Sequence, residues 1–247
     1  MRALKKSVPA PIRGPFRSDI LELHEAELAA VYHGRRMAGD FYDFIRVRPD
    51  RVLFGLLDAA GGLEETRAIV AAAQQTFRTV GAELLARNDI NEANAMMELC
   101  LQLNRAVLNA AEGVRSCPAF AGCYDESLGV VCYFNAGHTP GLLRDHAGVS
   151  ELPATGLPLG LFSHMTSDAP MAALEPGAAL LLASRGIVEG KRKAEEFGLQ
   201  RVKEVFQQSR AGSAKELCIS VVDQVQQFMD TAPAENDVTA LALTRNA

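Results

Sequence analysis

Apolar residues along the chain change their spacing from alternation to helical periodicity and back, and the changes mark out the elements. From Ile20 the positions Ile20, Leu21, Leu23, Leu28, Ala29, Val31 and Tyr32 alternate imperfectly, as paired half-buried strands do, before a turn at His33-Gly34-Arg35-Arg36. Two further strands, Phe41 to Val47 and Val52 to Leu57, flank a turn at residues 48–51 and read as a hairpin. The spacing then lengthens. Ile69, Val70, Ala73, Phe77, Val80 and Leu84 predict a helix over Leu63 to Ala86, with Glu64 and Glu65 in its first turn where the helix dipole favours negative charge. Met96, Met97, Leu99, Cys100, Leu103, Val107 and Leu108 predict a second helix from about Ile90 to Ala111, its methionines serving as core filler.

Strands resume at Ala119 to Tyr124, Leu128 to Asn135, Gly141 to Arg144, around Met165 to Met171, and at Ala178 to Ala183, with turns at residues 125–127, 146–148 and 175–177. Helices follow at Lys193 to Gln208 and Ser213 to Met229, then a last strand from Val238 to Leu243. The expectation is a mostly antiparallel sheet system covered by helices. No internal repeat divides the chain, so a single domain over 20–247 follows a proline-spaced, basic extended arm over 1–19.

Composition narrows the function classes. The 247 residues carry a net charge of −5, against a nucleic-acid or anionic-membrane surface, which would need clustered Lys and Arg. The five cysteines are odd in number and form no C-x-x-C pair, so neither a disulfide framework nor a zinc site is indicated, and a reducing cytoplasm fits. No stretch approaches the ~20 apolar residues of a membrane span, so no membrane insertion is expected.

The chemistry gathers at Met37-Ala38-Gly39-Asp40-Phe41-Tyr42-Asp43, where two strands meet, and at Asp58, which ends an apolar run and runs into Ala59-Ala60-Gly61-Gly62. A strand that delivers an Asp into a glycine turn presents carboxylate and carbonyl oxygens to a hard divalent ion. Ordinary strand-ending turn chemistry explains the same spacing.

An ordered set of blocks gives the chain a wider likeness. Ala38 to Asp43 resembles G-G-D-[FY]-Y-D, Leu57 to Gly62 sits where D-V-S-G-H-G is found, and Phe134 to Pro140 is close to N-A-G-H-x-P. Gly156 to Gly160 is close to G-x-P-L-G, Leu180 to Gly190 follows L-L-L-Y-T-D-G-V-T-E-A in outline, and Asn236 to Thr239 follows D-D-x-T. Over roughly residues 20 to 247 the chain thus resembles the PPM family of metal-dependent protein serine/threonine phosphatases in its SpoIIE-like bacterial branch. The resemblance implies an α+β fold, a four-layer α-β-β-α sandwich of two antiparallel sheets flanked by helices. It also implies paired Mn or Mg ions that activate a water for attack on phosphoserine or phosphothreonine, held by carboxylates from four blocks. Carried over, Asp40 would bridge the ions, Asp58 would bind one, and the Ala59 backbone carbonyl would add an oxygen.

The remaining carboxylate positions depart from the pattern. Arg185 stands where the family has the Asp of T-D-G, and Asn236 where it has the first Asp of D-D-x-T. The formal charge of the site moves from about minus four to about minus one, beyond ordinary ligand tuning. The guanidinium of Arg185 could hold Asp40 or Asp58 in place of a metal, or turn to solvent. Asp237 would face away if Asn236 faces in, by strand alternation. Gly62 replaces the usual histidine, and His138 reads as a turn residue. Arg35 and Arg36 could contact a phosphate, or lie in a solvated loop. The resulting expectation is a weak or inactive phosphatase domain, with Mn or Mg bound if it is active, that binds a phosphoprotein or regulatory protein in bacterial signalling such as a stress response. The alternative is an active Mn- or Mg-dependent enzyme with one ion, or with Asp43, Glu189 or Asp237 drawn into a rearranged site.

Overall fold

The structure is a computed structural model that describes residues 17–33, 39–59, 63–111, 113, 115–230 and 236–247. One sheet contains β3 (Gly39–Arg48), β4 (Arg51–Ala59), β5 (Ala119–Asp125), β6 (Val130–Ala136) and β9 (Met171–Ala173), in that order. The other runs β1 (Arg17–Glu22), β2 (Ala26–His33), β13 (Val238–Arg245), β10 (Ala179–Ala183), β7 (Gly141–Asp145) and β8 (Gly148–Leu152). Every strand pairing in both sheets is antiparallel. Helices α1 (Leu63–Leu85) and α2 (Glu92–Ala110) cover the first sheet, while α4 (Gly198–Gln208) and α5 (Ala214–Met229) cover the second. A short α3 (Arg185–Val188) and a two-stranded ribbon, β11 (Lys191–Arg192) with β12 (Glu195–Glu196), lie between β10 and α4. The four-layer sandwich is the expected architecture.

Strand β4 shows how sequence parity sorts the layers. Leu53, Leu57 and Ala59 pack under α1 and α2 with Ile69, Phe77, Met96 and Leu99. Val52, Phe54 and Leu56 point the other way, into an inter-sheet layer with Leu28, Leu180, Leu182 and Leu241. Both faces of β4 are buried, which is why its sequence is almost continuously apolar. Successive residues alternate faces, so Asp58 shares the inter-sheet face of Leu56 at the end of that layer.

Several boundaries differ from expectation. Of the arm expected over 1–19, residues 17–19 already belong to β1 and the rest lie outside the described residues. The strand expected around 165–171 is only Met171–Ala173. The turn at 146–148 leads straight into β8, whose exposed Ser150 and Glu151 hid it from an apolar pattern. The helix expected from Lys193 begins at Gly198, because the backbone first makes the ribbon, with Lys193 at φ 59 and Gly198 at φ 79. No described helix is long and apolar enough to cross a membrane, and all five cysteines are buried free thiols.

Arg51, read from sequence as a turn residue, is instead a buried clamp. Its Nε lies 2.9 Å from Glu92 Oε1 and its Nη2 3.1 Å from Asp125 Oδ2, while Nη1 donates to the carbonyls of Leu85 and Arg87 at the end of α1. Burial pushes the Glu92 carboxyl up, and Arg51 opposes that shift. At Asp125 burial pushes upward too, but hydrogen bonds from Ser127, the Leu128 N–H and Arg51 outweigh it and hold the carboxyl below its ordinary range. Removing the cation strands two buried carboxylates, so Arg51→Met is expected to cost about 3–5 kcal/mol by denaturant unfolding. Arg51→Met combined with Glu92→Gln and Asp125→Asn should recover much of that loss; equal stability of the single variant and wild type would refute the clamp.

Candidate functional site

The register of the β3–β4 hairpin places Asp40 directly opposite Asp58. Cross-strand partners share a face, so two carboxylates meet at the open end of the inter-sheet layer. Asp58 is 3% exposed and Asp40 is half-buried. Across the layer, Thr239 Oγ1 of β13 donates to Asp40 Oδ2 at 2.7 Å, joining the two sheets. Burial first, and then the neighbouring charges of Asp58 and Asp237, push the Asp40 carboxyl up to about 8, against the Thr239 and Ser184 hydroxyls. Asp58 is also raised, chiefly by burial, with Glu189 and Asp237 adding to the shift and Arg185 opposing it.

Arg185 reaches this pair from the start of α3. Its Nε lies 3.1 Å from Asp58 Oδ2 and its Nη2 donates to Asp58 Oδ1 at 3.5 Å, a two-point approach of guanidinium to carboxylate. Glu189, one helical turn on, lies 3.9 Å from the same Nε. Of the orientations open to Arg185 from sequence, the structure has it on Asp58 rather than on Asp40 or turned fully to solvent.

The backbone around Arg185 is tightly specified. Ser184 N–H donates to the Thr239 carbonyl at 2.9 Å, and its hydroxyl accepts from Thr239 N–H at 3.0 Å and donates to the Asp237 carbonyl at 3.3 Å. A methyl group at Gly186 would lie 2.0 Å from the Asp237 carbonyl oxygen and 3.2 Å from Asn236 Cβ, so only glycine permits this approach. Thr139, next to the buried His138, donates its hydroxyl to the Ala183 carbonyl and supports the end of β10. His138 has Nδ1 3.0 Å from the Thr139 carbonyl and its backbone N–H donates to Asn135 Oδ1 at 2.8 Å; burial pushes its imidazole down to about 4, leaving it neutral inside a turn.

Other residues singled out from sequence distribute as follows. Ala59 is buried at the end of β4, opposite Gly39. Asn236 is half-buried beside Gly186. Asp237 is 2% exposed and its charge acts on both Asp40 and Asp58. Residue 237 precedes β13, so strand alternation does not by itself set which way it faces. Asp43 lies on the opposite face of β3, where Arg78 of α1 holds it in a two-point ion pair, Nη2 to Oδ1 3.0 Å, so it is excluded from the site. Arg35 and Arg36 fall within 34–38, outside the described residues.

A pair of Mn or Mg ions, as the PPM resemblance implies, does not fit this donor set. A cation already lies against Asp58, a neutral amide stands at Asn236, and no group of three His, Cys, Asp or Glu side chains converges as a ligand cluster among the described residues.

Comparison with known proteins places this site in a family. A family model described as Stage II sporulation protein E (SpoIIE) matches residues 48–246. Protein IcfG of Synechocystis sp. is 24% identical over 247 residues, covering 91% of this chain and 39% of IcfG. Phosphoserine phosphatase RsbP of Bacillus subtilis is 24% identical over 164 residues, covering 66% of this chain and 40% of RsbP. The chain therefore spans about two-fifths of the length of these curated relatives. Among solved structures, the RsbU and RsbW domains of Rv1364c from Mycobacterium tuberculosis superpose with a TM-score of 0.72 at 23% identity, over 90% of this chain and 62% of that one. The match of the family model over most of the chain, on a sandwich of the same fold, identifies the chain as a member of the SpoIIE family with a PPM-type phosphatase fold.

Proposed function

We propose that this SpoIIE-family domain is a binding module derived from a PPM-type phosphatase, recognising a phosphoprotein or regulatory protein of a bacterial signalling pathway without turning it over. The observation that carries this reading is the Arg185 guanidinium on Asp58. Two-metal hydrolysis needs closely spaced cations matched by several oxygen anions. Here one of those anions is engaged by a covalently tethered cation. The relative RsbP is named a phosphoserine phosphatase, so the reaction given up would be hydrolysis of a phosphoserine or phosphothreonine ester.

A second reading keeps an enzyme with a rearranged, single-ion centre. It is favoured by Asp237, which is buried beside Asp40 and Asp58 and could turn toward them. Turnover separates the two. The purified chain, assayed with Mn or Mg on a phosphoserine protein and on an aryl phosphate, is expected to release no phosphate above the level of Asp40→Asn. Metal-dependent turnover that Asp40→Asn abolishes would establish the enzyme instead.

The charge balance of the site also has a pH signature. Asp40 moves from its ordinary 3.8 to about 8 in the fold. Between those values the native chain holds a proton that the unfolded chain has released, so stability falls as pH rises through that window. Asp40→Asn removes this dependence. Without added metal the variant should be more stable than wild type by about 2–4 kcal/mol at pH 8, the gap narrowing toward pH 5. Thermal unfolding across that range tests it, and a variant that melts below wild type at pH 8 would contradict it.

A further inference from the structure

We propose that the groove between α2 and the loop following Gly160 is the docking site for a partner protein, and that it takes an acidic segment flanked by apolar side chains. The groove, of about 450 Å³, is walled on one side by Leu101, Asn104 and Arg105 of α2 and on the other by Ser163, His164, Met165 and Thr166. It is separate from the Asp40–Asp58 pair and uses none of the residues placed there.

The wall of this groove is built to stay open. Asn104 is 1% exposed and spends its side chain on the loop: Gly160 N–H donates to its Oδ1 at 2.8 Å, and its Nδ2 donates to the Phe162 carbonyl at 2.9 Å. Gly160 sits at φ 82, and a methyl group there would lie 2.5 Å from the Arg115 carbonyl, so the loop is packed against the chain without slack. Leu159 exchanges two backbone hydrogen bonds with Cys117, at 2.9 and 3.0 Å. Despite this bracing the loop displays Phe162 at 55% exposed. A loop that only needed to cover the core would turn such a side chain inward. An aromatic group offered to solvent on a braced backbone is what a protein interface uses as an anchor.

Charge selects the partner. In a chain of net charge −5 the groove lining contains Arg105 and His164 and no carboxylate. Arg105 is exposed and pairs with no carboxylate among the described residues, and its helix neighbours three and four positions away are Leu101, Gln102, Leu108 and Asn109, none of them acidic. Ser163 Oγ lies 3.1 Å from His164 Nδ1, and the exposed Thr166 adds a hydroxyl to the lining. A guanidinium in a groove lined also by Leu101 and Met165, with Phe162 next in the chain to the lining Ser163, complements an acidic side chain carried between apolar ones. Through Leu159, Cys117 and the hydrogen bond from Asp58 N–H to the Pro118 carbonyl at 2.9 Å, the loop is tied by backbone hydrogen bonds to the strand end that bears Asp58.

This assignment rests on the binding reading above only in making the partner a protein, and the two fail separately. The test is fluorescence anisotropy of the whole chain with a short labelled peptide of alternating leucine and glutamate, and with its leucine–lysine counterpart. The acidic peptide is expected to bind saturably, about tenfold more tightly than the lysine peptide, with affinity falling as salt is added. Arg105→Glu and Phe162→Ala, both at exposed positions, should each weaken it about tenfold with melting temperature unchanged. Failure of the acidic peptide to bind, equal binding of the lysine peptide, or indifference to Arg105→Glu would each overturn the proposal. Phosphate release in the turnover assay would sink the non-catalytic reading and leave the peptide result standing.

Discussion

Two carboxylates facing each other across a hairpin at the end of a buried layer are a constraint the whole site must answer. Like charges so placed repel, and burial raises the cost of ionising either one. A phosphatase of this fold meets the demand with metal ions drawn from solution. In this chain Arg185 lies on Asp58, and burial, with the charge of Asp58, pushes the Asp40 carboxyl up to about 8. Because Arg185 is 38% exposed on its side chain, the ion pair is a modest contributor to stability. Its weight is in how it settles the charge of the site.

Charge and backbone are separable in these blocks. Gly186 still permits the approach of the Asp237 carbonyl, Ser184 still stitches β10 to β13, and Thr239 still reaches Asp40 across the sandwich. None of these contacts depends on a carboxylate at position 185 or 236. A substitution there can change the charge of the site while the strands around it stay in register.

Much of this was legible in the sequence because it follows from short-range rules. The hairpin was legible and alternation along β4 sets the face of Asp58, but the register was not: counted from the Arg48–Arg51 pair Asp40 would fall opposite Ala59, and the bulge between Arg46 and Arg48 moves it opposite Asp58. The cation at 185 could be read as a replacement for a ligand, though its choice of Asp58 over Asp40 depended on where α3 begins. What escaped depended on distant contacts. Arg51 looked like a turn residue because its partners, Glu92 and Asp125, are far along the chain. Asp43 looked available until Arg78 of α1 was found holding it. Asp237 precedes β13, so strand alternation does not by itself set which way it faces, and β8 and the β11–β12 ribbon carry too many exposed polar residues to announce themselves.

The central claim is that a tethered guanidinium has taken the place of divalent ions at Asp58. Electron paramagnetic resonance of free Mn²⁺, titrated into the unmodified chain and into Arg185→Asp/Asn236→Asp, tests it most directly. The account predicts saturable uptake at micromolar Mn²⁺ by the double variant and none by the unmodified chain. Two ions bound per molecule of the unmodified chain would contradict it.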